Sequence, residues 1–452
     1  MNTDARPQRQ RILVVTADVL GVKMAGPAIR AWEMASALHR IADVRLVSTQ
    51  ASSLEAVEFP VSTADEAELR EHVRWADVLV FQGHTLSSYP WICDEDVIIV
   101  ADIYDPMHLE TLEQGKDLPS GDREALILQT TEVLNVQIER ADFLLCASEK
   151  QRDFWLGQLG ALCRINPYTY DADPSLRNLI DIAPFGISDS VAEQTRHAIK
   201  GTVPGIDVDD QVIIWGGGVY NWFDPLTLIR AVASLVERHP KLRLYFLGVK
   251  HPNPLVPAMR VATETMRLSD ELGLTGKHVF FNTDWVDYHD RVNYLLDADL
   301  GVSTHFEHVE TAFSFRTRIL DYLWAGLPIV ATDGDTFSGI IRDHELGAVV
   351  PPEDVEALAA AIEDVLYAGR REEFSANSRR FGETMTWSRT LKPLLDFCAS
   401  PRHAADYPNL ISSPRQQVRE HMTRRIEQLE ASTSWKITRP LRSVSKLFRP
   451  EE

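Results

Sequence analysis

Short apolar runs alternate with amphipathic stretches along two separate parts of the chain, and this alternation limits the possible folds more than any other feature. The runs have the length of strands, and the stretches between them have helical periodicity. Such an order predicts βαβ units, in which helices join parallel strands. The predicted strands are 12–15, 44–47, 78–81, 97–100 and 143–147 in the first part, and 212–215, 242–247, 278–281, 299–303, 329–331 and 348–350 in the second.

The two series of strands predict an α/β fold with two doubly wound, Rossmann-like domains that face a cleft. The break between them follows Pro184-Phe185-Gly186, where a strand ends beside residues that interrupt regular structure. We therefore predict a first domain over 1–186 and a second over 187–398, whose last helix, 381–397, could return to the first domain. Ligands of such folds bind at the carboxyl ends of the strands, so the cleft is the expected binding site.

The charge of the chain is strongly negative but unevenly distributed. A net charge of −20 argues against nucleic-acid binding, which needs a basic groove. The segment 415–449 nevertheless contains nine Lys or Arg against three Glu, a local charge of +6, and Trp435, Leu441 and Phe448 interleave with these residues. This pattern predicts that a basic amphipathic tail, 399–452, binds an anionic membrane surface. A solvated tail, or one that docks on a partner, is the alternative.

The remaining composition indicates an intracellular globular protein. The four cysteines are far apart and show no metal-ligand spacing, which favours reduced thiols. The first ten residues are polar, and no run approaches 18 consecutive apolar residues, so the sequence predicts neither a signal peptide nor a membrane span. We expect a cytoplasmic location, with the basic tail able to hold the protein at the inner face of the cell membrane.

Two arginines open a predicted helix whose other residues are largely apolar. Arg316 and Arg318 stand at its start, and it ends before Gly326. The free N–H groups and positive dipole end of a helix attract anions, so we predict a phosphate site here. A surface ion pair between Arg318 and Asp321 is the alternative, but a carboxylate within the apolar run 319–324 favours the site. The neighbouring residues predicted to line it are Ser314, Phe315 and Thr317.

Two glycine-containing loops follow predicted strands. Gly217 and Gly218 stand at the carboxyl end of a predicted strand, ahead of a predicted helix capped by Asp224, and backbone can approach a ligand closely there. Lys250, after the next strand, could meet a phosphate or a base, although an exposed lysine is equally common. In the first domain Gly26 and Pro27 open a helix after the first strand, but the glycine spacing is not that of the dinucleotide fingerprint, which disfavours a nicotinamide or flavin.

A run of titratable residues follows the predicted strand 97–100. It contains Asp102, Asp105 and His108, which places them near the cleft. A lone histidine is often structural, and only the adjacent carboxylates bring the functional interpretation of His108 to equal weight. No metal site is predicted, because His305 and His308 lack the spacing of a zinc-binding helix.

Several segments resemble the group 1, or glycogen-synthase-like, glycosyltransferases. Residues 321–330, DYLWAGLPIV, resemble the family segment E-A-x-A-x-G-x-P-V-V, and 347–354, GAVVPPED, resemble its G-x-L-V-P-P-x-D stretch. Residues 184–186, 147–149 and the glycine loop before Pro27 also fit their places in that family. The likeness covers about residues 11–398.

The resemblance implies a GT-B fold and a retaining, metal-independent, hexosyltransferase-like enzyme without a cofactor. The second domain would bind a nucleotide diphosphate sugar as donor, and the first would face a glycan or lipid-linked acceptor. The resemblance also suggests a role in bacterial surface polysaccharide biosynthesis, in the cell envelope.

The family resemblance assigns roles and also exposes two departures. Asp321 matches the second family glutamate and would hold the ribose, whereas Phe313 stands at the first, which leaves Glu310 as a candidate substitute. The family's diphosphate-binding Arg and Lys after the glycine turn are missing, so Arg316 and Arg318 are the expected substitutes. His108 and Asp105 would contact the transferred sugar or acceptor, and Gly26 and Asp102 would form the acceptor-side loop. The alternatives are a catalytically silent binding subunit and a two-domain nucleotide-sugar epimerase.

Overall fold

The computed structural model describes residues 9–54, 58–249, 259–407, 414–432 and 435. Within these residues the strands form two parallel sheets, one in each half of the chain. The first contains β1 (Arg11–Thr16), β2 (Asp43–Ser48), β3 (Val61–Thr63), β4 (Val78–Gln82), β5 (Ile98–Asp102), β6 (Phe143–Cys146) and β7 (Ile180–Ile182). The second contains β8 (Gln211–Trp215), β9 (Leu242–Phe246), β10 (Val279–Phe281), β11 (Leu300–Ser303), β12 (Ile329–Thr332) and β13 (Gly347–Val350).

Helices cover both sheets. Those of the first half are α1 (Gly26–His39), α2 (Glu66–Trp75), α3 (Thr85–Ser88), α4 (Met107–Gln114), α5 (Ser120–Arg140), α6 (Glu149–Ala161) and α7 (Pro167–Ala172). Those of the second half are α8 (Pro225–Leu235), α9 (Arg260–Glu271), α10 (Arg291–Leu296), α11 (Val309–Phe313), α12 (Thr317–Ala325), α13 (Thr336–Asp343), α14 (Val355–Tyr367), α15 (Arg371–Gly382), α16 (Trp387–Thr390), α17 (Lys392–Ala399) and α18 (Pro414–Ala431).

The strand order confirms the predicted doubly wound α/β fold. It is β3-β2-β1-β4-β5-β6-β7 in the first sheet and β10-β9-β8-β11-β12-β13 in the second. The order reverses between β1 and β4 and between β8 and β11, which are the points where ligands bind to such sheets. The central strands are buried on both faces, as parallel strands under two helical layers must be.

The C-terminal part of the second half returns to the first domain. Phe397 on α17 stacks on Phe143 of β6 with ring centroids 4.4 Å apart. Beyond α17, Asp406 accepts hydrogen bonds from Arg164 at 3.0 Å and from Asn166 at 2.9 Å, and all three side chains are buried. The predicted tail therefore starts too early at residue 399, because 399–407 still pack on the first domain.

The last described helix, α18, is exposed. Met422, Ile426 and Leu429 follow one another at helical spacing, and each has about half of its surface open to solvent. No helix among the described residues combines the length and the hydropathy needed to cross a membrane. The residues 436–452, which carry most of the basic pattern seen in the sequence, lie outside the described part.

Candidate active site

A cavity of about 830 Å³ lies between the two domains, at the carboxyl ends of the strands. Contacts between the domains surround it. Trp285 donates from Nε1 to the carbonyl of Met24 at 3.2 Å, and the Tyr288 hydroxyl donates to Glu33 at 2.9 Å. This cleft cavity is large enough for an extended ligand and has walls from both domains.

The glycine turn after β8 forms part of the second-domain wall. Gly217 has a φ of +74°, which an L side chain adopts only with strain, and the space above it is open. The hydroxyl of Tyr322 accepts from the Gly216 N–H and donates to the Val302 carbonyl, both at 2.8 Å. A Cβ on Gly216 would lie 3.2 Å from the Tyr322 ring. The buried tyrosine thus fixes the turn, and Gly217 and Gly218 line the cavity as predicted.

The helix α12 begins at the same wall. Its apolar side chains, among them Ile319 and Leu323, are buried, and it ends at Gly326, whose left-handed backbone forms the C-cap. Among the described residues no side chain caps its first turn, so N–H groups there remain available. The predicted residues Ser314, Phe315 and Thr317 all line the cavity.

Arg318 carries its charge into the cavity wall without a carboxylate partner among the described residues. Its guanidinium lies 3.9 Å from the ring centroid of Phe223 and 4.2 Å from that of Trp215, and Nη2 donates to the Gly218 carbonyl at 2.8 Å. The residue is 7% exposed, and its Nη1 has no hydrogen-bond partner in the described structure. Burial lowers the pKa of Arg318 to about 10. An anion at Nη1 would satisfy both the donor and the charge.

Arg316 differs from Arg318, which corrects the prediction that both arginines are available to a phosphate. Its two terminal nitrogens donate to the carboxylate of Glu310 at 3.0 and 2.8 Å, and both side chains are almost fully buried. The charge of Arg316 is therefore largely neutralised within the protein, although its Nε has no partner among the described residues. Glu310 itself does not line the cleft cavity.

Asp321 lies on the cavity wall, on the second turn of α12. Its Oδ1 accepts from Arg291 Nε at 3.2 Å, so the ion pair that forms is with Arg291. The same guanidinium stacks on Tyr288 at 3.9 Å. The predicted surface pair between Arg318 and Asp321 is therefore not the pair observed in the described structure.

Asp105 and Glu110 form a carboxyl pair on the first-domain wall. Asp105 precedes α4 and Glu110 lies on its first turn, and a hydrogen bond joins their side chains. Burial, together with the nearby Glu310 carboxylate, raises the pKa of Asp105 to about 7, and burial with the charge of Asp105 raises the pKa of Glu110 well above its usual range. The two groups therefore share a proton near neutral pH.

This pair predicts a pH-dependent stability difference for Asp105→Asn. Because the folded pKa is raised, the native state binds more protons than the unfolded chain between about pH 4 and 7, so ionisation of Asp105 lowers stability as the pH rises through that window. We expect the variant to melt at a higher temperature than the wild type at pH 8, and the difference to shrink toward pH 4. Thermal melts across this range measure it.

The exposed Asp153 provides the control, because Asp153→Asn should leave the pH profile of the wild type unchanged. A difference between Asp105→Asn and wild type that is the same at every pH would show that Asp105 does not titrate in this window.

Two predicted residues of the first domain do not reach the cleft cavity. His108 packs against Phe154 and Trp155, with ring centroids 5.4 and 6.0 Å away, and is not part of the cavity lining. Burial among these rings lowers the pKa of His108. The guanidinium of Arg30 donates to the two carboxylate oxygens of Asp102 at 2.5 and 2.7 Å, and both residues are buried. Asp102 therefore forms an ion pair within the first domain.

The other predicted positions are placed as follows. Gly26 opens α1 at the cavity, where Pro27 also lines the wall. Lys250 lies outside the described residues. The sequence did not single out Glu110, Arg291, Trp285 or Tyr288, although Glu110 belongs to the titratable run after β5 and the other three follow the strand β10, at the edge where ligands bind.

The comparisons with known proteins agree with this geometry. Residues 210–367 match the family model described as glycosyl transferases group 1. D-inositol 3-phosphate glycosyltransferase of Saccharomonospora viridis is 29% identical over 204 residues, 45% of this chain and 45% of the relative. The corresponding protein of Mycobacterium marinum is 24% identical over 76% of this chain and 64% of the relative. The chain thus spans about half the length of several curated relatives that it matches.

Solved structures share the whole two-domain arrangement. Anabaena Alr3699/HepE in complex with UDP-glucose superposes with a TM-score of 0.61 over 86% of this chain and 99% of that chain, at 14% identity. WaaG, a glycosyltransferase involved in lipopolysaccharide biosynthesis, superposes with a TM-score of 0.57 over 86% of this chain and 100% of that chain, at 16% identity. Residues 210–367 of the second domain are therefore similar to the group 1 glycosyltransferases, and the two domains together have the GT-B fold.

Proposed function

We propose that this chain transfers a sugar from a nucleotide diphosphate sugar to a glycan or lipid-linked acceptor, with retention of the anomeric configuration and without a metal. The observation that carries the proposal is Arg318, a buried cation with an open donor beside the glycine turn and the start of α12. A similar fold binds UDP-glucose in Anabaena HepE, which supports a nucleotide sugar as donor.

The difficult step of such a reaction is departure of the nucleoside diphosphate, because negative charge accumulates on its β-phosphate. Arg318, the N–H groups of α12 and those of the glycine turn would receive this charge from fixed positions, which avoids the cost of reorganising solvent. Asp105 and Glu110 on the opposite wall would accept hydrogen bonds from the hydroxyls of the transferred sugar or the acceptor. In this account Asp105 and Glu110 replace the predicted pair of Asp105 and His108.

Asp321 would hold the ribose of the donor. One of its oxygens pairs with Arg291 and the side chain still lines the cavity, so a hydroxyl can reach the carboxylate. A hydrogen bond to a charged group contributes about 1.5–3 kcal/mol. We expect Asp321→Asn to weaken donor binding by about 10- to 100-fold in calorimetry, with little change in melting temperature because the pair is partly exposed.

Arg291→Lys is the matched control, because it keeps a positive partner for Asp321 and should retain most of the donor affinity. If the Asp321→Asn variant bound the donor as tightly as the wild type but were much less stable, the ion pair of Asp321 with Arg291 would have a structural role and would not hold the ribose.

The proposed location is the cytoplasm, with the chain at the inner face of the membrane during assembly of a cell-surface polysaccharide. The exposed apolar stripe of Met422, Ile426 and Leu429 on α18 and the basic composition of 415–449 support this. We expect the full chain to sediment with anionic liposomes and to be released by high salt, since each basic residue near anionic lipid contributes about 1 kcal/mol.

A truncation before Pro414 is the comparison for this experiment, and it should stay in the supernatant. Equal sedimentation of both proteins, or binding that does not depend on anionic lipid, would contradict membrane docking by the tail.

A thermal-shift panel of nucleotide sugars tests the donor class. A ligand that binds the native state alone raises the melting temperature, by an amount set by its concentration and affinity. We expect one or a few nucleotide diphosphate sugars to stabilise the protein, and the corresponding free sugars to have no effect. A panel without any stabilising nucleotide sugar would contradict the proposed donor.

A further inference from the structure

A second, smaller recess of about 190 Å³ opens beside the cleft cavity on the first-domain side. It lies at the carboxyl ends of β1, β4 and β5, which is the point where the strand order of the first sheet reverses. Tyr104 and Asp105 line both the recess and the cleft cavity. A ring in this recess would therefore lie next to a sugar held in the cleft.

The lining of the recess contains a buried amide whose oxygen has no hydrogen-bond partner among the described residues. Gln82, 5% exposed, donates from Nε2 to the Pro27 carbonyl at 2.7 Å, but its Oε1 has no partner in the described structure. A buried acceptor without a partner is costly, and a ligand hydroxyl would satisfy it. The following turn is positioned by Gln137, which donates to the Gly83 carbonyl. Gln82 is therefore held at the end of β4, directly before a turn that Gln137 supports.

The charges around the recess are acidic. Among its described lining residues, Asp18 and Asp105 supply carboxylates and none is a lysine or arginine. Asp102 also lines it, and the buried Arg30 already neutralises that carboxylate. Burial lowers the pKa of His84, so its ring is uncharged at neutral pH. A phosphate or carboxylate placed here would lie beside the Asp18 side chain and would find no lysine or arginine among the described lining residues.

The charged side chains of the cleft cavity also differ between its two walls. The first-domain wall carries Asp18, the proton-sharing pair of Asp105 and Glu110, and Asp117, which pairs with Arg260. On the second-domain wall Arg291 pairs with Asp321 and Arg316 with Glu310, whereas Arg318 has no carboxylate partner among the described residues. The second-domain wall thus offers an anion the guanidinium of Arg318, whereas the described lining from the first domain contains no lysine or arginine. Hydroxyl groups, which donate to carboxylates and to amide oxygens, fit the first-domain side.

We propose that this recess holds the acceptor ring, and that it selects a polyhydroxylated ring without a phosphate or carboxylate. The inference rests on the proposed glycosyl transfer, since it names the acceptor class of the same site. The volume of the recess is below that of pockets for drug-sized ligands, which fits one ring of an acceptor whose remainder extends outward.

Paired neutral and phosphorylated rings test the inference by binding, independently of turnover. The full chain is saturated with the nucleoside diphosphate that stabilises it most, and saturation-transfer NMR titrations measure myo-inositol against inositol 3-phosphate and glucose against glucose 6-phosphate. We expect the neutral ring of at least one pair to bind ten-fold or more tightly than its phosphorylated partner. Tighter or equal binding of the phosphorylated ring, or no binding of either ring in both pairs, would overturn the inference.

A charge-introducing variant locates the effect in the recess. His84→Lys adds a cation to its lining, and we expect the preference for the neutral ring to fall by about ten-fold. Ser88→Lys, on the exposed end of α3 and outside the lining, is the matched control and should keep the wild-type ratio. An equal response of both variants would overturn the assignment to the recess. A protein that keeps this binding preference but transfers no sugar would contradict the proposed function and leave the inference about the recess standing.

Discussion

Replacing Arg318 by alanine should lower kcat/KM by about 10²- to 10³-fold, the usual loss when one preorganised charge-stabilising donor is removed. Its guanidinium is fixed between the rings of Trp215 and Phe223 and by the Gly218 carbonyl, with Nη1 left for the ligand. Arg318→Lys should restore only part of the activity, because an ammonium cannot make the same planar contacts. Steady-state kinetics with the donor found by thermal shift measures both effects.

Arg260 supplies the matched control for this experiment. It also lines the cleft cavity, but it is exposed and paired with Asp117 and Glu264, so Arg260→Ala should cost far less activity. If the Arg318→Ala variant were folded and still turned over at nearly the wild-type rate, Arg318 would not be the group that stabilises the leaving diphosphate.

Replacing Arg316 by alanine should mainly destabilise the fold, by about 3–5 kcal/mol, because the buried carboxylate of Glu310 would lose its partner. The two arginines are thus expected to fail in different ways although they are two residues apart. Denaturant and thermal unfolding of the whole protein, followed by circular dichroism, measures the loss.

The double variant Glu310→Leu with Arg316→Met separates charge from packing. Apolar replacement of a whole buried pair is often neutral or stabilising, so this protein should recover most of the stability lost in Arg316→Ala. An Arg316→Ala variant as stable as the wild type would show that the pair contributes nothing to the fold.

The sequence predicts the fold well because each buried strand can be recognised from its own few residues. Strands of a parallel sheet are covered on both faces, so they appear as short continuous apolar runs, and β8 to β13 lie where those runs are. The edge strand β3, Val61–Thr63, escaped prediction because three residues are too few for a periodic pattern. The return of residues 399–407 to the first domain depends on Asp406 and Arg164, which are far apart in sequence.

The site is less predictable because the role of a charged side chain depends on its ion-pair partner, which the local sequence does not reveal. Glu310 and Arg316 do not lie at the spacing of a helical ion pair, since the chain leaves α11 and enters α12 between them. After β5, side chains close in sequence face different ways. Asp102, the last strand residue, faces Arg30, whereas Asp105 and Glu110 face the cavity and His108 turns toward Phe154.

Proton NMR of a transfer reaction tests the central claim most directly. The protein is incubated with the stabilising nucleotide sugar and a glycan acceptor, and the new anomeric signal is compared with that of the donor. We predict a new glycosidic bond with the anomeric configuration of the donor, formed only when acceptor is present. Inverted configuration would contradict retention, and bound donor without any transfer would identify a silent binding protein. An epimerised nucleotide sugar formed without acceptor would identify an epimerase.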